Sequence, residues 1–251
     1  MSVFYSFIVG VVQGLTEFLP VSSSGHLILA QKLFGLQPDL FLNVAMHFGT
    51  LVAVVIFYKK QLWQILKHPF CKKAKLVYLA TLPTVVVGFL AKIFLPSALD
   101  GVLLPLGFAL TFVLLFTSQF AKKQKHNLLT TSYKTGFLCG VVQGIAVLPG
   151  LSRSGATICF LKHCKIKTKD ATELSFLMSI PVIAGSIVLL GFDVVQTQTA
   201  VDLVALLVGM ASSFVFGYFS LGALNKIATS GDFAKFAPYM LFPFLLSCVT
   251  I

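Results

Sequence analysis

The side chains best suited to chemistry in this 251-residue sequence stand in one short segment near its amino terminus. Gln13 and Glu17 are four positions apart, which places them on one face of a helix. Three serines follow at 22–24, and His26 lies just beyond them. Glu17 stands among apolar residues, where an ionisable group is costly and by default functional, although a position at the aqueous rim would also explain it. Serine hydroxyls and free N–H groups at a helix start suit an anion, whereas the alternative is plain turn chemistry.

A second segment places polar side chains around the only arginine of the chain, Arg153. The other basic residues are lysines, which could have supplied simple charge. Arginine is preferred where a planar fork must grip a phosphate or a carboxylate, so Arg153 with Ser152, Ser154 and Thr157 predicts an anion clamp. An internal ion pair with Glu17 is the alternative. Taken together, the two segments favour phosphoryl chemistry, and their apolar surroundings favour a lipid-soluble substrate.

Other polar residues carry weaker predictions. His47 could face the same site, although core packing is the favoured interpretation. Asp170 and Glu173 are read as acids at a helix start, where the helix dipole favours negative charge. The five cysteines form no CxxC pattern, so neither a disulfide framework nor a zinc site is expected.

The composition of the chain indicates which class of protein positions these residues. Apolar residues make up 57% of the chain and charged residues 11%, whereas a soluble domain has roughly 25% charged residues. This excess predicts a polytopic membrane protein. The net charge of +11 comes from lysine clusters between apolar stretches, which is typical of cytoplasmic loops and argues against a nucleic-acid partner. The predicted spans are 41–58, 76–96, 103–120, 172–192, 202–222 and 237–251.

Two further apolar stretches, 2–33 and 135–161, are interrupted by proline, glycine and serine, and we interpret them as re-entrant hairpins. Gly10–Gly14 recurs as Gly140–Gly144, and the serines and glycines of both breaks align at the same offset. We therefore predict an all-α polytopic membrane protein with a single membrane domain, 1–251. Its inverted-topology repeats cover about 1–120 and about 135–251, each with one re-entrant hairpin and three transmembrane helices.

The segments Gln13–His26 and Pro149–Thr157 resemble the two signatures of the undecaprenyl-diphosphate phosphatase family, known as BacA or UppP, and Glu173–Pro181 resembles it too. The resemblance covers essentially the whole chain. It implies a multi-pass enzyme of the bacterial inner membrane that converts undecaprenyl diphosphate to undecaprenyl phosphate and inorganic phosphate. That reaction recycles the lipid carrier for peptidoglycan and confers bacitracin resistance. The resemblance also implies a site that opens to the periplasm and a divalent cation, Mg²⁺ or Ca²⁺.

The resemblance also assigns roles to individual residues. Gln13 and Glu17 fill the E/Q-xxx-E pattern and would hold the metal, with a single carboxylate because the first position is glutamine. Ser23 would be the nucleophile or a phosphate-binding serine, and His26 the acid or base. Attack by a water activated by Glu17 or His26 stays open. The remaining predicted phosphate-binding residues, beside the Arg153 clamp, are Ser22, Ser24, Ser152, Ser154 and Thr157.

Two other functions are compatible with parts of the sequence. Inverted repeats around a midplane site are also a transporter design, so a polyprenyl-phosphate flippase is the main alternative. The tripeptide Ser24-Gly25-His26 is shared with type-2 phosphatidic-acid phosphatases, but the first motif of that family is absent. Membrane lipids are the expected surroundings, and the oligomeric state stays open, with a homodimer among the options.

Overall fold

The computed structural model describes residues 2–36, 40–121, 124–197, 202–230 and 232–250. Within these ranges the regular secondary structure is helical, without a β-strand, which confirms the predicted all-α class. The helices are α1 Val3–Phe18, α2 Ser23–Leu33, α3 Leu40–Phe57, α4 Lys59–Lys67, α5 Lys72–Phe94, α6 Pro96–Leu99, α7 Leu104–Thr117, α8 Tyr133–Ile145, α9 Arg153–His163, α10 Thr168–Thr197, α11 Leu203–Ser230 and α12 Ala237–Thr250.

Several helices are long and apolar enough to cross a bilayer, so the chain is a multi-pass membrane protein. Four segments meet that test alone, namely Lys72–Phe94, Thr168–Val188, Leu203–Thr229 and Phe233–Thr250. The predicted span 41–58 corresponds to α3, which bends by 74° into α4 and counts as a fifth span only with it. Large apolar side chains on these helices are exposed, which suits a lipid surface.

Several predicted boundaries differ from the structure, and the largest difference is at α11, which continues to Ser230 where the predicted span ends at 222. The predicted span 103–120 is a 14-residue helix, α7, followed by a short 3₁₀ turn, and at 1.5 Å per residue α7 alone is shorter than a bilayer core. Helix α10 continues to Thr197, beyond the predicted end at 192, because no helix-breaking residue follows in that stretch. The rest of the predicted 193–201 connection, residues 198–201, lies outside the described residues.

The two interrupted stretches each form a pair of short helices that contact each other, α1 with α2 and α8 with α9. Proline stands in both breaks, at Pro20 and Pro149, and the backbone turns through positive φ at Ser22 (70°) and Gly150 (86°). The longest of the four helices has 16 residues, about 24 Å, which is less than a full span. Paired short helices are what a re-entrant hairpin requires, while their entry into a membrane stays a prediction.

Helix packing joins the two halves of the chain closely. Helix α1 packs most extensively against α11, and α8 against α5, so each short pair lies on a long helix from the other half. The pairs α3 with α10 and α7 with α12 also cross between the halves. Each half of the chain thus packs on the other, while the predicted repeat, its inverted orientation and its boundaries stay predictions.

The two breaks meet each other at glycine. A side-chain carbon on Gly25 would lie 2.6 Å from the Phe108 ring and 3.0 Å from Cα of Gly150. Thr111 of α7 fixes the second break, because its hydroxyl donates to the Gly150 carbonyl at 2.8 Å and accepts from the Ser152 N–H at 2.9 Å. The packing thus brings the two polar segments of the sequence into contact.

Candidate active site

Glu17 is the buried centre of a polar cluster. Its residue surface is 7% exposed, which is inconsistent with a position at an aqueous rim. Oε1 accepts a hydrogen bond from Arg153 Nη2 at 2.6 Å, so the ion pair considered from the sequence is present. Oε2 accepts from the Ser23 hydroxyl at 2.6 Å and from Gln13 Nε2 at 3.0 Å. One carboxylate therefore joins side chains from both predicted segments.

Arg153 has donor capacity that the described protein does not use. Nη2 is bonded to Glu17, but Nη1 is buried and has no hydrogen-bond partner among the described residues. Leaving a buried donor unpaired costs about 1–3 kcal/mol, and more for a charged group. An anionic ligand beside Glu17 would supply the missing acceptor, and the planar fork suits a phosphate.

The start of α2 offers more free donors. Ser22, which precedes the helix, has a strained backbone (φ 70°, ψ 94°) and provides no side-chain cap. The N–H groups of Ser23, Ser24 and Gly25 have no hydrogen-bond partner within the ranges that the structure describes. An uncapped helix start with free N–H groups is a ready anion site. Here it lies next to Arg153, because Ser23 and Arg153 share Glu17 as partner.

His26 is held on both sides of its ring. Nδ1 lies 2.8 Å from the Ser22 carbonyl oxygen, which can only accept, so Nδ1 carries a proton. Nε2 of the neutral ring then has a free electron pair, and the Tyr239 hydroxyl donates to it at 2.8 Å. The Phe108 ring contacts the imidazole edge-on, with centroids 5.6 Å apart. His26 is thus positioned beside the break by the backbone and by the last helix.

Comparison with known proteins shows which family the chain belongs to. A family model described as "Bacitracin resistance protein BacA" matches residues 6–245. The chain belongs to the BacA family. Similar curated proteins are "Undecaprenyl-diphosphatase 4" of Bacillus cereus, 37% identical over 94% of this chain and 92% of that protein, and "Undecaprenyl-diphosphatase" of Carboxydothermus hydrogenoformans, 36% identical over 96% and 94%. "Undecaprenyl-diphosphatase" of Methanococcus vannielii is 35% identical over 92% and 94%.

In this BacA chain the first signature forms most of the cluster. Gln13, Glu17 and Ser23 are hydrogen-bonded to one another through the Glu17 carboxylate. Ser22 and Ser24 lie beside them, with their hydroxyl oxygens 3.5 Å apart. The second signature adds Arg153. The structure therefore brings Gln13, Ser23 and Arg153 together on Glu17 as the sequence predicts, whereas His26 lies at the same break without a described hydrogen bond to that carboxylate.

The other second-signature hydroxyls are already engaged within the protein. Ser152 Oγ caps α9 by accepting from the Gly155 N–H at 3.1 Å, and Ser154 Oγ donates to the Leu19 carbonyl at 3.2 Å. Thr157 Oγ1 is hydrogen-bonded to Ser175 Oγ at 2.6 Å. These contacts fix α9 against its neighbours and so aim Arg153. Direct phosphate binding by these three hydroxyls stays a prediction.

Two residues of α3 contact the cluster although the sequence pattern did not favour a place for them in the site. His47 Nε2 lies 3.6 Å from Glu17 Oε2, so core packing was the wrong interpretation of His47. Thr50 Oγ1 lies 3.4 Å from Gln13 Nε2. Both belong to one face of an apolar helix, at i and i+3, and that spacing of polar residues was the signal available. No feature of the sequence indicated that Tyr239 belongs to the site, because it is a single polar residue in an apolar stretch.

The acids near the start of α10 lie outside the cluster, as the sequence predicts. Asp170 falls in the first turn of α10. Glu173 accepts a hydrogen bond from Lys73 Nζ at 2.5 Å, which ties α10 to α5. Glu17 is thus the glutamate of the site, and Glu173 is a structural counterpart suited to control experiments.

A divalent cation would find a small set of oxygen donors here. No group of three His, Cys, Asp or Glu side chains capable of holding a metal occurs among the described residues. Gln13 Oε1, however, is buried without a hydrogen-bond partner in the described chain, and it stands beside the Glu17 carboxylate. Mg²⁺ is commonly held by one or two carboxylates together with substrate phosphates. Glu17 and Gln13 fit that pattern once a diphosphate is bound.

Proposed function

We propose that this enzyme hydrolyses undecaprenyl diphosphate to undecaprenyl phosphate and inorganic phosphate. The observation that carries the proposal is the Ser23–Glu17–Arg153 cluster at the meeting point of two helix breaks, in which Glu17 is buried and Ser23 and Arg153 are partly exposed. The names of similar proteins support the substrate. In a cell wall-forming organism the reaction recycles the lipid carrier for peptidoglycan and confers bacitracin resistance, as the family name suggests. Those names do not favour the flippase alternative.

The terminal phosphate of the substrate would bind between Arg153 and the start of α2. Arg153 Nη1 supplies one unpaired donor, and the N–H groups of Ser23 and Ser24 supply others. All are fixed in place before the ligand arrives, and donors of this kind stabilise negative charge best in a site that excludes water. The lipid chain would leave the site through the apolar surface around it.

Ser23 is placed to attack the terminal phosphorus. Its hydroxyl already donates to Glu17 Oε2 at 2.6 Å, which is the geometry of a nucleophile bonded to its base. As the Ser23 Oγ–P bond forms, Glu17 takes the hydroxyl proton and the bridging P–O bond breaks. Undecaprenyl phosphate leaves with the bond electrons. Water then cleaves the phosphoserine, giving inorganic phosphate and restoring the serine.

His26 would serve the second half of this reaction. Its Nε2 is the atom that can take up a proton of the attacking water once the Tyr239 hydroxyl turns away from it or relays the proton, because Nδ1 is committed to Ser22. Direct attack on the substrate by such a water, with no serine intermediate, is the competing route. The short Ser23–Glu17 hydrogen bond favours the serine.

A bound Mg²⁺ or Ca²⁺ would neutralise charge on the diphosphate. Glu17 would contribute its carboxylate and Gln13 its unpaired Oε1. The chain's own residues meanwhile orient the phosphate, through Arg153, and hold the nucleophile, through Glu17. Gln13 also fixes the carboxylate rotation by donating to Oε2.

The site is proposed to open to the outer side of the cytoplasmic membrane. Support comes from the lysines, which lie in the connections at 59–75, 121–134, 162–169 and 223–236. Under the positive-inside rule these connections face the cytoplasm. The hairpin that carries Ser23 then comes from the opposite side.

Phosphate release by the purified protein in detergent tests the proposal. The wild-type protein should release phosphate from undecaprenyl diphosphate, whereas Glu17→Gln, which removes the base and the ion-pair charge, should lose at least about 10²-fold in kcat. Glu173→Gln is the matched control, because it makes the same change at an ion pair outside the cluster. Absence of release by the wild type, or equal loss in both variants, would overturn the proposal.

A further inference from the structure

The last helix contributes to the site a residue that neither signature contains. Tyr239, on α12, places its hydroxyl 2.8 Å from His26 Nε2. The two rings also stack, with centroids 5.7 Å apart and an interplanar angle of 6°. A hydrogen bond and a parallel ring contact from one side chain fix both the position and the rotation of the imidazole.

The hydrogen bonds decide which nitrogen of His26 can act. Nδ1 is a donor to the Ser22 carbonyl, within the same helix turn, and cannot take up a further proton. Nε2 is therefore the atom through which His26 must gain or lose a proton. The phenol oxygen of Tyr239 stands at that atom.

The surroundings leave Tyr239 as the polar contact on that side of the ring. Phe108 covers an imidazole edge with an apolar ring. The cluster at Glu17 is bonded to Ser23, Gln13 and Arg153, and no described hydrogen bond joins it to His26. Tyr239 is 45% exposed, so the same side chain reaches both Nε2 and the surface of the protein.

We propose that Tyr239 is a positioning residue for His26 and the route by which Nε2 exchanges protons with the exterior. The phenol donates its proton to Nε2 while its oxygen accepts one from water outside, and the reverse transfer returns the proton. The tyrosine ends each cycle unchanged, so no further reactant is required. The catalytic meaning of this role rests on the proposed phosphatase function, but the hydrogen bond itself does not.

Tyr239→Phe tests the role, because it keeps the stacked ring and removes the hydroxyl. We expect kcat for phosphate release to fall by about 10- to 100-fold, up to the lower end of direct acid–base contributions because Tyr239 acts through His26, with KM changed less than about twofold. Tyr218→Phe on α11, which packs against Phe57, is the matched control and should keep wild-type kcat. A fall in kcat that is matched by the control, or no fall, would overturn the role.

A spectroscopic measurement separates this inference from the phosphatase proposal. ¹⁵N-histidine NMR of the substrate-free protein should show His26, assigned by His26→Gln, with a protonated Nδ1 and a hydrogen-bonded Nε2. In Tyr239→Phe the Nε2 resonance should move towards that of a free electron pair, and in Tyr218→Phe it should not. An unmoved resonance would overturn the inference whether or not the wild type releases phosphate. A moved resonance in an inactive wild type would overturn the phosphatase proposal instead.

Discussion

Replacing Arg153 by lysine separates the charge of the guanidinium from its shape. Arg153 bonds Glu17 Oε1 through Nη2 at 2.6 Å and keeps a second buried nitrogen, Nη1, for a ligand. Lysine has one nitrogen at the end of a flexible stem, so it can stay on Glu17 or reach the phosphate, but it cannot hold both in the arginine geometry. Arg153→Lys should therefore be impaired although the positive charge is retained.

The magnitude follows from the loss of one charge-assisted hydrogen bond. Such a bond contributes about 1.5–3 kcal/mol, and each 1.4 kcal/mol is about a tenfold change in rate. We expect kcat/KM of Arg153→Lys to fall by about 10- to 150-fold. Arg153→Ala should be worse, because it also leaves Glu17 as a buried unpaired carboxylate, which costs about 3–5 kcal/mol of stability.

Steady-state phosphate release from undecaprenyl diphosphate measures this effect. Lys73→Arg is the matched control. Lys73 forms an ion pair with Glu173 outside the site, and this variant replaces lysine by arginine, the reverse of the change at Arg153. That variant should stay within about twofold of wild type, since the pair is partly exposed and outside the site. If Arg153→Lys is equally active, the guanidinium fork is not what binds the phosphate.

Three further predictions concern packing, capping and metal. Gly25→Ala should lower kcat/KM by about 10²-fold, because the new methyl group would lie 2.6 Å from the Phe108 ring and push the two breaks apart. Gly88→Ala is the control and should leave kcat/KM unchanged, since there is open space around Gly88. Ser152→Ala should cost about 1 kcal/mol, or about 2–4 °C in Tm, by removing the α9 cap, whereas Ser22→Ala removes no cap and should shift Tm less. Chelator should abolish phosphate release and added Mg²⁺ should restore it; undiminished release in chelator would exclude the metal role of Glu17 and Gln13.

The sequence predicted most of the helices because a bilayer imposes a simple rule of length and polarity. Apolar runs placed α5, α10 and α12 within a few residues, whereas α11 continues to Ser230, past the predicted end at 222. The rule fails at α7, because hydropathy measures how apolar a stretch is but not where a 3₁₀ turn ends the helix. It also did not predict that the chain continues as helix α4 beyond the bend, since the apolar run ends at Lys59 and Lys60.

The site was predictable where polar residues are rare and clustered. Glu17, Ser23 and Arg153 stood out because charge and serine triplets are costly in apolar segments, and the structure joins them. His47 and Tyr239 each stand alone on a long apolar helix, and only the packing of α3 and α12 brings them to the site. Contacts between distant helices cannot be read from the spacing of single residues.

The most direct test of the chemistry is a search for phosphate on Ser23 during turnover. The purified enzyme would be mixed with undecaprenyl diphosphate, quenched in acid within a single turnover and analysed by peptide mass spectrometry. We predict a phosphorylated peptide that contains Ser23 in the wild type, its accumulation in His26→Gln, and neither that peptide nor phosphate release in Ser23→Ala. Undiminished phosphate release by Ser23→Ala, with no phosphoserine in the wild type, would contradict attack by Ser23 and assign it to water.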